Sequence, residues 1–569
     1  MLTVLRPVLA LFALGPLLLV AACRTEAPTD DPVDTPTTLF VGGTILTLDD
    51  PPVVDALAVR GERIVGLGER TELESRFPDA MQIDLEGRAL LPGFVDSHTH
   101  VHELGRDRLL ADLTGTASVA EMIARLRARY PEPEPGTWLI GQGWDEGEWG
   151  SRGYPDRAEL DAAFPDHPVW LHSLHGFAGF GNALALDRAG IDAATADPEG
   201  GTILRRADGE ATGVLLTLAQ GLVRRQIPAD TPDMTRQAIL AGLRQLAAAG
   251  VTTVHEAGLS PSLVDAYSRL AADGALPIRV YGLLDGNDDA LVDTWIERGP
   301  APHGSTLDPT GYWTVRGFKV FYDGSLGSRT ALLAEPYADV PETARPTERI
   351  SPDRVRRLAE RAAAAGFQMA VHTIGDEGNR RILELYEEVL AEHPGLDHRW
   401  RFEHAQVVTP DFYGRAAAIH AIASMQPSHA VGDSGWAEER VGAERVLHAY
   451  AWRRMLDAGV PLVFNSDLPG EPWRPLETLY FAVTRRRLGD PEGGGWYADQ
   501  ATDVDETLHA MTVAGAHAGF DDDRLGRLAP GLLADLVELE ADPRTVEPNR
   551  LPALAIGRVW VGGRLVDAP

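Results

Sequence analysis

Cysteine is nearly absent from this chain, which has only Cys23 in 569 residues. A single cysteine cannot form a disulfide within the chain. It also excludes a metal site built from several thiolates. Because Cys23 falls in a segment that we interpret below as a leader, a cysteine nucleophile is excluded from the folded part of the chain.

Positive charge is also scarce. The chain has 52 lysine and arginine residues against 84 aspartate and glutamate residues, a formal net charge of -32. This balance argues against nucleic acid as a partner, because its phosphates would be repelled. It does not identify a substrate, since a solvated acidic surface is the simpler explanation. Hydrophobic residues make up 44% of the chain, enough for a core of good size.

Long apolar runs are confined to the first 23 residues. Residues 7–22 are nearly all apolar, but this run is short for a bilayer span and contains Pro7 and Pro16. It ends in Leu19-Val-Ala-Ala-Cys23, which resembles the lipobox of bacterial lipoproteins with Cys23 as the lipidated residue. An ordinary secretory signal with a chance cysteine is the alternative. We expect export to the bacterial cell envelope, on the periplasmic or outer-surface side, with membrane contact only through the lipid.

Short β patterns occupy both ends of the chain that follows the leader. Turns are predicted at Gly42-Gly43 and Gly61-Glu62, and β patterns return near the C-terminus. We therefore predict that the two ends pair into a small β-sandwich domain. The predicted divisions are a leader (1–23), a flexible tether rich in Pro, Thr and Asp (24–36), the β domain (37–92 with 524–569) and a central domain (93–523).

The central domain alternates apolar strands with helical stretches, the latter at 355–366, 379–392 and 446–458. Eight strands joined by helices predict a distorted, TIM-like parallel (β/α)8 barrel. The stretch 103–235 is too long for one crossover, so we interpret it as an insertion over the barrel mouth. The predicted barrel strands are 93–97, 251–255, 278–284, 318–322, 368–372, 400–404, 423–426 and 461–465.

The first predicted strand runs directly into His98 and His100, in Leu91-Pro-Gly-Phe-Val-Asp-Ser-His-Thr-His100. Residues two apart on an extended chain point to the same side. Both imidazoles therefore face one point, which is the geometry needed to share a metal ion. A lone histidine is usually a packed or surface residue, but this pair closes an apolar strand and further metal-binding residue types follow downstream.

Four more polar residues lie in or at the ends of other predicted strands, where the active sites of barrels form. Lys319 interrupts an apolar strand, in which an unpaired charge is costly. His372, His404 and Asp467 follow strand patterns. Each has a simpler alternative: a lysine that extends to solvent, two core histidines and a helix N-cap. Their joint placement on separate strands favours one metal site.

These motifs resemble the amidohydrolase superfamily of metal-dependent hydrolases. The similarity runs from Gly93-Phe-Val-Asp-Ser-His-Thr-His100 to Pro530-Gly-Leu-Leu-Ala-Asp535 and is closest to the branch that includes N-substituted formamide deformylases. Supporting motifs are Gly143-Trp-Asp145, Gly250-Val-Thr-Thr-Val-His-Glu-Ala-Gly258, Asp323-Gly-Ser-Leu-Gly-Ser-Arg-Thr330 and His372-Thr-Ile-Gly-Asp376.

The resemblance implies a centre of one or two divalent ions, for which zinc suits the nitrogen and carboxylate donors best. Lys319 would be carboxylated and bridge the ions as an anion. Water activated by the metal would attack the carbonyl carbon of a non-peptide amide in a small molecule. Asp467 would move the proton from that water to the leaving nitrogen. The implied ligands are His98, His100 and Asp467 for one ion, and His372 and His404 for the other.

Contacts with the substrate are harder to assign from the sequence. Relatives in this branch often carry Gly-His in a segment like 176–182, where this chain has Phe177 at the His position and His175 two residues earlier. If that histidine contacts substrate in relatives, specificity here would differ. The candidate substrate-binding residues are Trp144, Asp145, Arg329 and His429, all of types that also serve in cores and on surfaces.

Two other functions stay open at this point. A deaminase or a hydrolase of cyclic amides or esters would use the same site, because the activated water is indifferent to the leaving group. A non-catalytic, solute-binding lipoprotein fits the predicted location. Asp467 and Lys319 argue against pure binding, since binding needs no proton transfer. Neither the identity of the substrate nor the oligomeric state is readable from the sequence.

Overall fold

The computed structural model describes residues 35–145, 149, 153–174, 176, 178–198, 200–305, 310–340, 346–490 and 492–566. The predicted leader and most of the predicted tether, together with His175 and Phe177, lie outside these residues, so what was predicted for them stays a prediction. In the part of the chain that is described, we find no helix with the length and apolar character needed to cross a membrane.

Strands from both ends of the chain form one mixed sheet, in the order β22-β21-β20-β5-β1-β2-β3 with β4 paired to β1. Its elements are β1 (Thr37–Leu46), β2 (Val53–Arg60), β3 (Arg63–Gly68), α1 (Arg70–Arg76), β4 (Met81–Asp84), β5 (Ala89–Pro92), β20 (Leu536–Leu539), β21 (Ile556–Val561) and β22 (Arg564–Leu565).

The two predicted turns of this sheet have different outcomes. Gly61-Glu62 connects β2 and β3, as predicted, because Arg60 pairs with Arg63. The turn at Gly42-Gly43 is wrong, since β1 continues through it. Gly42 takes a φ of +76°, and pairing with β2 shifts register across this point, so an irregularity replaces the turn.

The central domain contains the predicted parallel barrel, with strand order β19-β18-β17-β16-β15-β14-β13-β6. The seam between β19 and β6 is narrow: the N–H of Asp467 donates to the carbonyl oxygen of His98 at 3.0 Å. The strands are β6 (Phe94–Thr99), β13 (Val251–Leu259), β14 (Arg279–Asp285), β15 (Trp313–Phe321), β16 (Gln368–Thr373), β17 (Arg401–His404), β18 (Ile422–Met425) and β19 (Leu462–Phe464).

The remaining elements of the central domain are helices, several of which cover the outside of the barrel, as parallel strands buried on both faces require. They are α2 (Val101–Leu109), α7 (Pro232–Ala248), α8 (Pro261–Ala272), α9 (Asp289–Arg298), α10 (Pro352–Ala365), α11 (Asp376–Glu392), α12 (Phe412–Ala418), α13 (Pro427–Asp433), α14 (Ala437–Arg445), α15 (Trp452–Asp457), α16 (Pro475–Thr484), α17 (Val504–Ala510) and α18 (Val513–Ala518).

One predicted helix is broken. The segment 446–458 begins as a 3-10 turn at Val446–His448 and becomes helical again only in α15. Between them, Ala449 pairs with Val407 in an isolated antiparallel bridge. A backbone contact with a neighbouring loop therefore overrides the local helix preference of this segment.

The segment between α2 and α7 forms a second unit with its own apolar core and a six-stranded sheet, in the order β11-β12-β10-β9-β8-β7. Its elements are β7 (Ala111–Asp112), α3 (Val119–Arg129), β8 (Leu139–Trp144), α4 (Ala158–Ala163), β9 (Val169–Ser173), β10 (Ala178–Gly181), α5 (Ala183–Arg188), β11 (Gly201–Arg205), β12 (Ala211–Thr217) and α6 (Gly221–Arg224).

Helix α2 carries the chain away from the two histidines at the end of β6 and packs closely on α7. A Cβ on Gly105 would lie 1.7 Å from the carbonyl oxygen of Ala238, so only glycine permits this approach. The tight crossing of the two helices holds the chain that leaves His100.

Candidate metal centre

Two histidines and an aspartate converge at the seam of the barrel. The rings of His98 and His100 lie 5.5 Å apart. The Nε2 atoms of His98 and His100 are 3.4 and 3.3 Å from the same oxygen, Oδ1 of Asp467. Because His98 and His100 are two apart on the strand, their side chains point to the same side, as predicted from the sequence, and both imidazoles face one carboxylate.

Lys319 reaches the same place from β15, and it is the only lysine of the chain. Its side chain is fully buried, with Nζ 3.0 Å from Nε2 of His98. Burial lowers the pKa of Lys319 to about 8, because the interior disfavours the charged amine. A fraction of this amine is therefore unprotonated at neutral pH.

His372 and His404 lie at the ends of adjacent strands β16 and β17, with ring centroids 4.5 Å apart. Nδ1 of His404 is 2.9 Å from Oε1 of Gln426, an acceptor. This contact places the proton of the neutral ring on Nδ1 and leaves Nε2 with a free lone pair. His404 also approaches Oδ2 of Asp467, at 3.8 Å from Nδ1.

The backbone is unusual at two of these positions. His404 has a φ of +77° and Asp467 a φ of +51°, a region that residues other than glycine rarely occupy. In a regular strand, Glu403 and His404 would point to opposite faces. The left-handed conformation at His404 turns the chain, so that both side chains approach His98. Backbone strain of this kind is concentrated at functional sites.

Except at His100, whose pKa is raised despite burial by its contact with Asp467, the charges of the site match those of metal ligands. Burial, aided by Lys319, lowers the pKa of His98 to about 4 and that of His372 to about 3. Burial also lowers the pKa of His404. Although burial opposes its ionisation, contacts with His98 and a hydrogen bond with His100 hold the pKa of Asp467 well below its usual range. Neutral imidazoles and an ionised carboxylate are the forms that bind metals.

Two sets of donor atoms in the described residues lie within 4.8 Å of one another, as a shared ion requires: His98, His100 and Asp467, and His404, His429 and Asp467. The first is the set predicted from the sequence. The second contains His404, a predicted ligand, and His429, which we predicted as a substrate contact. The residues present therefore fit a divalent ion.

His429 lies on α13 and is the predicted substrate contact that the structure brings to the centre. Its ring stacks on that of His404, with centroids 6.0 Å apart and planes at 16°. Nε2 lies 3.8 Å from Oδ2 of Asp467. The side-chain amide of Gln406 contacts Nδ1 at 3.2 Å, and when it donates there, Nε2 carries the hydrogen of the neutral ring.

The structure places two other predicted substrate contacts away from the described lining of the cavity. Trp144 is fully buried in the second unit, where its indole N–H donates to the carbonyl oxygen of Leu171 at 3.0 Å. Arg329 lies on an exposed loop and pairs with Asp339. Neither residue is among the described residues that line the cavity, so their predicted contact with substrate stays a prediction. Asp145 directly follows β8 in that second unit and is not among the described residues that line the cavity.

A cavity of about 320 Å³ opens onto the centre. None of its described lining residues lies in 103–235, so the prediction that this insertion covers the barrel mouth gains no support from the described part of the chain. Besides the predicted ligands, the lining comprises Phe321, Ser325, Leu326, Gly327, Ile374, Gln406, His429, Asp433, Trp436 and Glu471.

Two buried residues beside this site, Glu403 and Arg401, were not identified from the sequence. Glu403 contacts Nδ1 of His98 at 2.5 Å, and Arg401 lies 2.6 Å from Glu403. The signal was present in Trp400-Arg-Phe-Glu-His404, where two charged residues alternate with Trp400 and Phe402 in a predicted barrel strand. Lys319 was identified as a charged residue within a predicted strand, and Arg401 and Glu403 meet the same criterion.

Comparison with known proteins places the chain in a family. Residues 82–567 match the model of the amidohydrolase family, and residues 56–80 match a model of a bacterial imidazolonepropionase-like composite domain. Protein LONG AFTER FAR-RED 3 of Arabidopsis thaliana is 33% identical over 540 residues, which cover 92% of this chain and 91% of the relative. The chain belongs to the amidohydrolase family and, as a member, is a hydrolase.

More specific similarities agree with this assignment. The N-substituted formamide deformylase of Arthrobacter pascens is 28% identical over 526 residues, which cover 90% of this chain and 94% of the relative. The crystal structure of an uncharacterized metal-dependent hydrolase from Pyrococcus furiosus superposes with a TM-score of 0.73 at 28% identity, covering 90% of this chain and 100% of that one. The resemblance inferred from the sequence motifs and the predicted fold class are confirmed.

Proposed function

We propose that the protein hydrolyses the C–N bond of a non-peptide amide in a small molecule. The observation that carries this proposal is the convergence of side chains from five separate barrel strands, or the turns directly after them, on one cavity. The similarity to a protein named as a formamide deformylase supports the bond type.

The proposed ligands suit zinc well, because it favours nitrogen and carboxylate donors. When bound, such an ion lowers the pKa of water and polarises the carbonyl oxygen of a substrate. The proposed ligands of one or two ions are His98, His100, Lys319, His372, His404 and Asp467. We assign His429 to substrate rather than metal, because Gln406 at Nδ1 favours a hydrogen on Nε2.

Lys319 is proposed to carry a carboxylate. Its neutral amine attacks the carbon of CO2, one C–N bond forms, one C=O π pair moves to oxygen, and the nitrogen passes a proton to water. The product is an anionic carbamate, which can lie among cations where an ammonium group would be repelled. The lowered pKa of the amine and its 3.0 Å approach to His98 support this modification.

Asp467 is proposed to accept a proton from the attacking water and to pass it to the leaving nitrogen. Its side chain is 18% exposed and lines the cavity, so one carboxylate can meet both water and substrate. The low pKa of Asp467 keeps it ionised in the resting protein, ready to accept the proton.

Metal analysis of the purified full-length protein tests this proposal. We expect one or two divalent ions per chain by mass spectrometry, together with amide turnover in a panel of N-acyl amines, cyclic amides, esters and amino-heterocycles. His100→Ala should lose metal, whereas His393→Ala, a control in a half-buried position after α11, should keep it. A folded wild type that takes up no added Zn²⁺ would contradict the proposal, and turnover of amino-heterocycles alone would indicate a deaminase.

We further propose that the protein is anchored to the bacterial cell envelope by a lipid on Cys23, on the periplasmic or outer-surface side. The support is the sequence Leu19-Val-Ala-Ala-Cys23, which lies outside the described residues. A small molecule is the only partner we propose. The net charge of -32 disfavours nucleic acid.

Metabolic labelling in a bacterial host tests the anchor. With an alkyne-labelled fatty acid, we expect the wild type to be labelled and Cys23→Ser to be unlabelled and released from membranes. Thr25→Ser, just beyond the motif, should behave as wild type. Equal labelling of the wild type and Cys23→Ser would contradict the proposed anchor, because Cys23 is the only cysteine.

A further inference from the structure

We infer that Glu403 is a positioning residue that fixes the ring and the tautomer of His98 and so sets the metal affinity of the centre. The inference rests on the proposed function in one respect: it takes His98 as a metal ligand. It adds a residue outside the proposed ligand set and a role that can be measured without turnover.

The contact between Glu403 and His98 is short and fully buried. Oε2 of Glu403 lies 2.5 Å from Nδ1 of His98, and both side chains are fully buried. A carboxylate at Nδ1 accepts the hydrogen of that nitrogen, so the lone pair of the neutral ring is on Nε2. Nε2 is the atom that faces Lys319 and Asp467, at 3.0 and 3.4 Å.

Glu403 is itself held on two sides. Nε of Arg401 lies 2.6 Å from its Oε1, and the hydroxyl of Ser424 donates to its Oε2 at 2.6 Å. Arg401 and Glu403 are two apart on β17 and therefore share a face of the strand. A buried carboxylate without such a partner would be costly, so the arginine keeps Glu403 ionised at this position.

Arg401 also ties this pair to the strand that carries His98. Its guanidinium donates to the carbonyl oxygen of Ser97, the residue before His98, and contacts Nδ1 of His255 at 3.0 Å. The group thus joins β6, β13, β17 and β18 inside the barrel. Outer residues of this kind orient metal-binding histidines, and their loss lowers metal affinity by about 10- to 100-fold.

A buried ion pair could instead serve only the stability of the barrel. The two roles predict different results when the pair is removed as a unit. Glu403→Gln alone leaves Arg401 without a carboxylate, which destabilises the fold. The double substitution Arg401→Met with Glu403→Gln removes both charges and relieves that penalty. If the pair only stabilises the fold, the double variant should regain both the stability and the metal affinity of the wild type. If Glu403 positions His98, the double variant should regain the stability but not the metal affinity.

The experiment measures Zn²⁺ affinity by chelator competition, and the visible spectrum of the Co²⁺-loaded protein, for full-length variants. We expect the double variant to melt near the wild type, to bind Zn²⁺ about 10- to 100-fold more weakly and to show an altered Co²⁺ spectrum. Ser424→Ala keeps both charges and should weaken Zn²⁺ binding in the same direction but less, which preserves the test if the double variant fails to fold.

Glu538→Gln is the matched control. Glu538 is fully buried and pairs with Arg88 and Arg558, but it lies in β20 of the terminal sheet. It should lose stability and keep the Zn²⁺ affinity and Co²⁺ spectrum of the wild type. A comparable loss of affinity in this variant would overturn the inference, since it would attribute the effect to general destabilisation.

Failure of the inference can be told from failure of the proposed function. If the wild type binds Zn²⁺ and hydrolyses amides, but the double variant and Ser424→Ala keep wild-type Zn²⁺ affinity and Co²⁺ spectrum, Glu403 does not position His98. If the wild type binds no Zn²⁺, the proposed function is refuted, and the inference with it.

Discussion

Asp467→Asn is expected to lower the turnover number by about 10³-fold on the best amide substrate. Asparagine keeps the size of the side chain and one oxygen for His98 and His100, which both lie within 3.4 Å of Oδ1. It cannot accept the proton of the attacking water. The loss should therefore appear in kcat at saturating substrate and Zn²⁺, more than in KM.

The control for this prediction is Asp411→Asn, a surface aspartate that pairs with Arg415 at 3.0 Å. It should retain wild-type turnover. Metal content must be measured alongside, because Asp467 is also a proposed ligand. Equal turnover by the wild type and Asp467→Asn, at equal metal content, would show that Asp467 is not the general base.

Lys319→Ala is expected to weaken Zn²⁺ binding by at least about 100-fold, since even outer-shell substitutions reach this size. Amide turnover should fall with it. Lys319→Arg preserves a long cation, but a guanidinium does not form the carbamate, so this variant should also be inactive. Added propionate can place a carboxylate in the space left by Lys319→Ala and should restore part of the activity.

The modification itself can be observed directly. Because Lys319 is the only lysine, the protein equilibrated with ¹³C-bicarbonate should show a single side-chain carbamate resonance, and Lys319→Ala should show none. Full activity of Lys319→Arg, or a metal-loaded wild type without this resonance, would contradict carboxylation.

The sequence alone was sufficient for the barrel and for the residues at its strand ends. Apolar runs of strand length, with helical segments between several of them, predicted the eight barrel strands. Side-chain alternation predicted that His98 and His100 face one point. These are local properties, because strand period and apolar content depend on residues close together in the chain. Lys319 could be identified for the same reason, because it is a charged residue among apolar neighbours in the sequence.

Only the tertiary structure decided which side chains meet. Glu403 and His98 are 305 positions apart, so no local period links them. The sequence could not show that Trp144 is buried in the core of the second unit or that Arg329 pairs with Asp339, because both arise from the packing of other segments. The helix predicted at 446–458 is interrupted by pairing with Val407. Local chemistry determined the strands and the residue types at their ends, whereas long-range contacts determined the orientation of these side chains and the shape of the cavity.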